Sequence, residues 1–119
     1  MAKKILIIED DAQDRKIIKL NLIKHGYKDL IFASSGEEGV AKAESEKPDL
    51  IILDINMPQM SGVEVQRILR LDPATQRIPV IFMTNLLKKI DIGGGMNRFI
   101  AKSSLSKDLV KEVKMIFGG

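Results

Sequence analysis

Five short apolar runs recur along this chain, at Ile5–Ile8, Leu30–Ala33, Leu50–Leu53, Val80–Met83 and Phe99–Ala101, with helix-length stretches between them. Most are continuous rather than alternating, and they are rich in Ile and Val. A strand of that kind is apolar on both faces, which suits a parallel sheet covered by helices on each side. Strand alternating with helix five times predicts an α/β chain with a doubly wound sheet. At 119 residues, with no internal repeat or linker, residues 1–119 are expected to form one domain. A globule of this length buries roughly two-thirds of its unfolded surface, enough for a core without disulfides or a structural metal.

The first intervening stretch, about Ala12–His25, puts Ile18 and Leu22 on one face and ends at Gly26, a suitable C′ residue. The second opens on Ser35-Gly36-Glu37-Glu38, the Ser-x-x-Glu spacing of a capping box, and stops before Pro48. Ser61-Gly62-Val63-Glu64 opens the third in the same way, with Val65, Ile68 and Leu69 expected to pack. The last is expected to start at Ser106, with Leu105 and Val110 as a staple and Leu109, Val113 and Ile116 facing inward. After Thr84, Asn85–Ile92 leaves room for about two helical turns before Gly93-Gly94-Gly95, which predicts a shortened or irregular fourth helix. The glycine run lacks the Gly-Lys-Ser/Thr ending of a phosphate loop and follows a helix, so it reads as a turn.

Charge and composition narrow the function. There is no Cys, hence no disulfide framework, thiolate metal site or Cys nucleophile. The net charge is +3, but residues 1–60 carry 9 basic and 11 acidic residues while 61–119 carry 10 and 5. Basic residues are scattered, with no run longer than a pair such as Lys88-Lys89, and there are only five aromatics. A nucleic-acid binder needs a dense basic stripe or a stacking platform, so direct nucleic-acid binding is not expected. Apolar runs of four residues are far too short for a membrane span, and Met1-Ala2-Lys3-Lys4 leads into only four apolar residues before Glu9, unlike a signal peptide. A soluble cytoplasmic protein is the expectation.

In an open α/β sheet, ligands bind beyond the carboxyl ends of the strands, near the point where strand order reverses. The first run ends in Glu9-Asp10-Asp11, the third in Asp54, the fourth in Thr84 and the fifth in Lys102. The right-handed crossover rule favours order 2-1-3-4-5, with strands 1 and 3 side by side. Three or four carboxylates then share one rim. They repel unless one is protonated or a cation sits among them, and a hard divalent ion such as Mg²⁺ (or Mn²⁺) resolves the conflict. Thr84 adds a hydroxyl and Lys102 a mobile positive charge. Asp54 stands alone on its strand facing the other acids, placed to attack a phosphoryl group and form an aspartyl phosphate. A capping role for Asp54 is disfavoured because its motif runs into Met57-Pro58. Asp11 reads as a cap of the first helix, although a shift of one residue exchanges it with Asp10. His25, the only His, suits the end of the first helix, where its partial charge meets the dipole.

Four motifs fall on that rim: Ile-Leu-Ile-Ile-Glu9-Asp10-Asp11, then Asp54-Ile55-Asn56-Met57-Pro58-Gln59-Met60-Ser61-Gly62, then Pro79-Val80-Ile81-Phe82-Met83-Thr84, then Phe99-Ile100-Ala101-Lys102. In this order they resemble, from end to end, the receiver domain of bacterial two-component response regulators. The resemblance implies a flavodoxin-like fold and a phosphoacceptor, regulatory rather than enzymatic, with Asp54 as acceptor. It implies direct Mg²⁺ binding by Asp10, binding by Glu9 through water, and a further ligand in the Asn56 backbone carbonyl. Thr84 would hydrogen-bond the phosphoryl group and Lys102 would pair with it. Phe99 occupies the aromatic switch position and would turn inward as Thr84 moves, changing the surface of the fourth helix, fifth strand and last helix. A static core aromatic is the other reading of Phe99. The implied partners are a sensor histidine kinase or phosphotransfer protein and a downstream output protein or effector domain.

Three positions depart from the family pattern. Asn85 follows Thr84 where a small residue is usual, and Ser103 follows Lys102 where Pro is usual. From Thr84 to Lys102 the chain is about four residues shorter than is usual in the family, one helical turn. These departures motivate an alternative, a pseudo-receiver acting as a phosphorylation-independent docking module. A Mg²⁺-dependent phosphatase is a third reading, weakened by Asn56 standing where such enzymes carry a second acid.

Overall fold

The computed structural model describes residues 3–85 and 98–118. Five parallel strands, β1 (Ile5–Ile8), β2 (Leu30–Ala33), β3 (Leu50–Asp54), β4 (Val80–Thr84) and β5 (Arg98–Ala101), form one sheet in the order β2-β1-β3-β4-β5. The described helices are α1 (Ala12–Lys24), α2 (Gly36–Glu46), α3 (Gly62–Leu71) and α4 (Leu105–Phe117), with a single 3-10 turn at Lys102–Ser104. The expected doubly wound order is therefore the observed one. The expected fourth helix, residue 85 apart, and the triple glycine lie outside the described residues.

Successive strand residues point to opposite faces, so continuous apolar runs feed two cores at once. Ile5, Ile7, Leu50, Ile52, Ile81, Met83 and Ile100 pack with Ile18 and Leu22 of α1 and Leu105, Leu109 and Val113 of α4. On the other face Leu6, Ile8, Ile51, Leu53 and Phe82 pack with Ala43 of α2 and Val65 and Leu69 of α3. Every residue of β1, β3 and β4 is buried, whereas the edge strands β2 and β5 are mostly half-buried.

Local chemistry sets the helix starts. Asp11 caps α1 by accepting from the Gln13 N–H at 3.1 Å, which assigns it the capping role and leaves Asp10 for the rim. His25 caps the other end, its Nδ1 2.9 Å from the Asn21 carbonyl, and Gly26 follows at φ 92°. Ser35 and Ser61 cap α2 and α3 as expected, accepting from Glu38 N and Glu64 N. The first box closes one residue early, however. Glu38 returns to the N–H of Ser34, at 2.6 Å, because its carboxylate also takes the Ser34 hydroxyl.

Two expectations about packing are corrected. In α3, Ile68 is exposed and Gln66 takes the buried place beside Val65 and Leu69. The last helix begins at Leu105, not Ser106, and Ser104 occupies its N-cap without a side-chain bond. Leu105 is drawn into the core as the first helical residue, and Ile116 is only partly buried at the margin.

Candidate functional site

The carboxyl ends of β1, β3, β4 and β5 converge. Asp54 and Thr84 are the last residues of their strands, Glu9 follows β1 directly, and Lys102 follows β5. The parallel register sets Asp54 opposite Met83 and Thr84 opposite Ala101, so side chains distant in sequence arrive at one level. Glu9, Asp54 and Thr84 are buried, while Asp10 is exposed at the mouth. One carboxylate oxygen each from Glu9, Asp10 and Asp54 lies within 4.8 Å of the other two.

Lys102 enters this cluster from below the rim. Its Nζ is 2.8 Å from Glu9 Oε1 and 3.1 Å from both Asp54 Oδ2 and Asp14 Oδ2. One ammonium thus faces four acids, counting Asp10, and the excess negative charge remains. Burial is the main force pushing the Glu9 carboxyl up to about 8; Lys102 pulls it down, and Asp54 pushes it further up. Burial also works to lower the Lys102 ammonium, but its bonds to Glu9, Asp14 and Asp54 outweigh this and hold it above its ordinary value.

The donor set of this rim fits a divalent cation. Apart from the Lys102 ion pair, the buried Glu9 Oε1 has no hydrogen-bond partner. Two buried carboxylates and one exposed carboxylate are a hard, oxygen-rich donor set that leaves room for waters, as Mg²⁺ requires. The second Glu9 oxygen and one Asp54 oxygen are held by backbone N–H groups, of Asp11 at 3.1 Å and Asn56 at 2.9 Å, which fix both carboxylates.

Gly62 packs directly against the backbone of Asp54 and Ile55. A Cβ there would collide with the Asp54 carbonyl oxygen and come within 2.8 Å of the Ile55 Cα, so only glycine lets α3 begin this close to the end of β3.

Phe99 lies on β5, separated by β4 from the strand that carries Asp54. It pairs with Phe82 across the sheet, and the rings stack at 5.4 Å between centroids, on the face covered by α2 and α3. Thr84 Oγ1 donates to Asn56 Oδ1 at 3.4 Å, and the Asn85 N–H donates to the same oxygen at 3.1 Å. The side chain of Asn56, of which the sequence reading used only the backbone carbonyl, thus ties the loop after β3 to the end of β4.

Two further residues escaped the sequence reading. Asp14 lies in the first turn of α1 and reaches Lys102. Arg15 donates from Nη1 to the carbonyls of Glu9 at 2.8 Å and Asp10 at 3.0 Å, bracing the acidic loop. Their spacing of three and four residues from Asp11 puts both in the first turn of α1 but does not fix which way that turn faces.

Comparison with known proteins agrees with this geometry. The family model of the response regulator receiver domain matches residues 5–114. The alkaline phosphatase synthesis transcriptional regulatory protein PhoP of Bacillus subtilis is 35% identical over 120 residues, covering 98% of this chain. The chain spans about half of that relative, 49% of its length. Protein PilH of Pseudomonas aeruginosa is 32% identical over 120 residues, with 98% of each chain covered. Among solved structures, the chemotaxis response regulator CheY4 of Vibrio cholerae superposes with a TM-score of 0.88 at 27% identity, covering 98% of this chain and 99% of that one.

Proposed function

Because this chain belongs to the response regulator receiver domain family, we propose that it is a phosphoacceptor switch that takes a phosphoryl group onto Asp54. The observation that carries this reading is the shared position of Asp54, Lys102, Glu9 and Asp10 at one rim. The donor is a phosphohistidine of a sensor histidine kinase or phosphotransfer protein, and the setting is the cytoplasm. Among the described residues no helix is long and apolar enough to cross a membrane.

Asp54 is the nucleophile. A carboxylate oxygen forms the new O–P bond while the P–N bond to the donor imidazole breaks; the electron pair stays on that nitrogen, which takes up a proton from solvent. The Asn56 N–H, 2.9 Å from Asp54 Oδ1, holds the carboxylate in one orientation during the attack. Lys102 already touches Asp54 Oδ2 and follows the charge to a phosphoryl oxygen. Glu9, Asp10, Asp54 and the Asn56 carbonyl would hold Mg²⁺ or Mn²⁺, which when bound neutralises phosphoryl oxygens. Thr84 donates its hydroxyl to the phosphoryl group once it leaves Asn56 Oδ1. Phe99, stacked on Phe82 in the neighbouring strand, follows that movement, and the β5–α4 surface carries the change to an output partner or effector domain. The chain acts as a regulator and assists only its own phosphorylation and dephosphorylation.

Incubation with Mg²⁺ and a small acyl phosphate tests the reading. One base-labile, hydroxylamine-sensitive phosphoryl group is expected, absent from Asp54→Ala. A chain that stays unmodified while it binds Mg²⁺ overturns the proposal. The intact constellation gives the docking-only alternative no support over it.

A further inference from the structure

On the flank of the molecule, α1 and the edge strand β2 enclose an open groove. Ala12, Arg15, Lys16 and Lys19 recur at three- and four-residue intervals along one side of α1. With Phe32 of β2 they line a cavity of about 350 Å³. Phe32 is half-buried on the α1 face of the sheet, and its carbonyl accepts at 2.6 Å from Nζ of Lys42, which is itself paired with Glu38. Three cations and an aromatic ring line the groove, and no acid does.

Among the described residues, none of Arg15, Lys16 and Lys19 is ion-paired to a carboxylate. Arg15 is nonetheless held in place, because Nη1 donates to the Glu9 and Asp10 carbonyls. A guanidinium fixed along one edge presents the rest of its fork to a ligand at little entropic cost. Unpaired cations beside an aromatic face match a ligand that joins several negative oxygens to a planar ring.

We propose that this groove binds a nucleoside polyphosphate, with the base against the Phe32 ring and the phosphates among Arg15, Lys16 and Lys19. The cavity is within the size class of small-ligand sites, at the lower end. Phosphate suits both cation types, as a fork for Arg and a point charge for Lys, and stacking supplies affinity that an anion alone lacks. The inference does not depend on the phosphoacceptor reading, since no lining residue is in the acid cluster. Arg15 joins the two places mechanically, so an occupant is felt at the Glu9 and Asp10 backbone.

The test is a titration of the whole chain with ATP, GTP and pyrophosphate, followed by amide chemical shifts. EDTA is present throughout, so that no metal bridges phosphates to the carboxylates. Saturable shifts are expected at Ala12–Lys19, Phe32 and Glu9–Asp11, with ATP and GTP binding more tightly than pyrophosphate. The double variant Lys16→Glu/Lys19→Glu should weaken ATP binding by about tenfold or more. Phe32→Leu should weaken both nucleotides and leave pyrophosphate unchanged. Absence of saturation by either nucleotide, shifts confined to another surface, pyrophosphate binding as tightly as ATP, or indifference to the double variant would each overturn the proposal. The pyrophosphate comparison uses the unaltered chain, so it stands even where Phe32→Leu does not fold. A failure of Asp54 to accept phosphate leaves these readings untouched.

Discussion

Lys102 balances the rim. Its ammonium sits against the buried carboxyl groups of Glu9 and Asp54, so removing it leaves the buried Asp54 carboxylate without its counter-ion and a hydrogen-bond partner missing from Glu9. Lys102→Met is expected to destabilise the metal-free chain by about 3 kcal/mol in urea unfolding. Asp54→Asn should do the reverse and raise metal-free stability by about 1 kcal/mol, because it removes one of four crowded acids while keeping the bond to the Asn56 amide. The Glu9 carboxyl titrates at about 8 in the fold against 4.5 ordinarily, so between those values the folded chain binds more protons than the unfolded chain. Its contribution is therefore complete below 4.5 and is lost as pH rises through 8. Unfolding of the metal-free protein across this range should show falling stability, with a flatter profile for Glu9→Gln. The acids themselves were legible in the sequence because each follows an apolar run directly. Asp14, Arg15 and the Asn56 side chain were not: their roles depend on which way a helix turn and a loop face, and linear spacing leaves that open.

At the level of elements, strand positions were read almost to the residue because continuous Ile and Val runs have few other uses in a chain this short. The boundaries that moved are the rim ends of β3 and β4, which take in Asp54 and Thr84, and the start of β5, which takes in Arg98. Helix faces were harder. Val65, Ile68 and Leu69 fit one apolar stripe in α3, yet the structure rotates Ile68 outward and buries Gln66. Leu69→Ala should therefore cost about 3 kcal/mol, whereas Ile68→Ala should cost well under 1 kcal/mol, about the effect of a surface change, by thermal or urea unfolding. Gly62 couples an element start to the chemistry. Gly62→Ala must push α3 off the Asp54 carbonyl and is expected to cost about 2 kcal/mol. It should also slow phosphorylation from an acyl phosphate by more than a distant change of equal cost does.

Across the whole molecule, two apolar layers share one sheet, and the rim is the only part of β1, β3 and β4 where burial admits charge among the described residues. That is why fold and site could be read together from the same runs. The segment between β4 and β5, short for the family and read as about two helical turns before Gly93-Gly94-Gly95, lies outside the described residues apart from residue 85. A ligand that binds only the folded chain stabilises it by mass action. Adding Mg²⁺ should raise the unfolding midpoint, chelation should reverse the rise, and Asp54→Asn should blunt it.

The ammonium that completes the rim comes from the residue just after the fifth described strand, 88 residues from Asp14 and 48 from Asp54. During synthesis, every acid leaves the ribosome long before its counter-charge does. A nascent or clipped chain ending short of residue 102 carries all four acids but not the ammonium that balances them, so the rim stays uncompensated until the fifth described strand has closed.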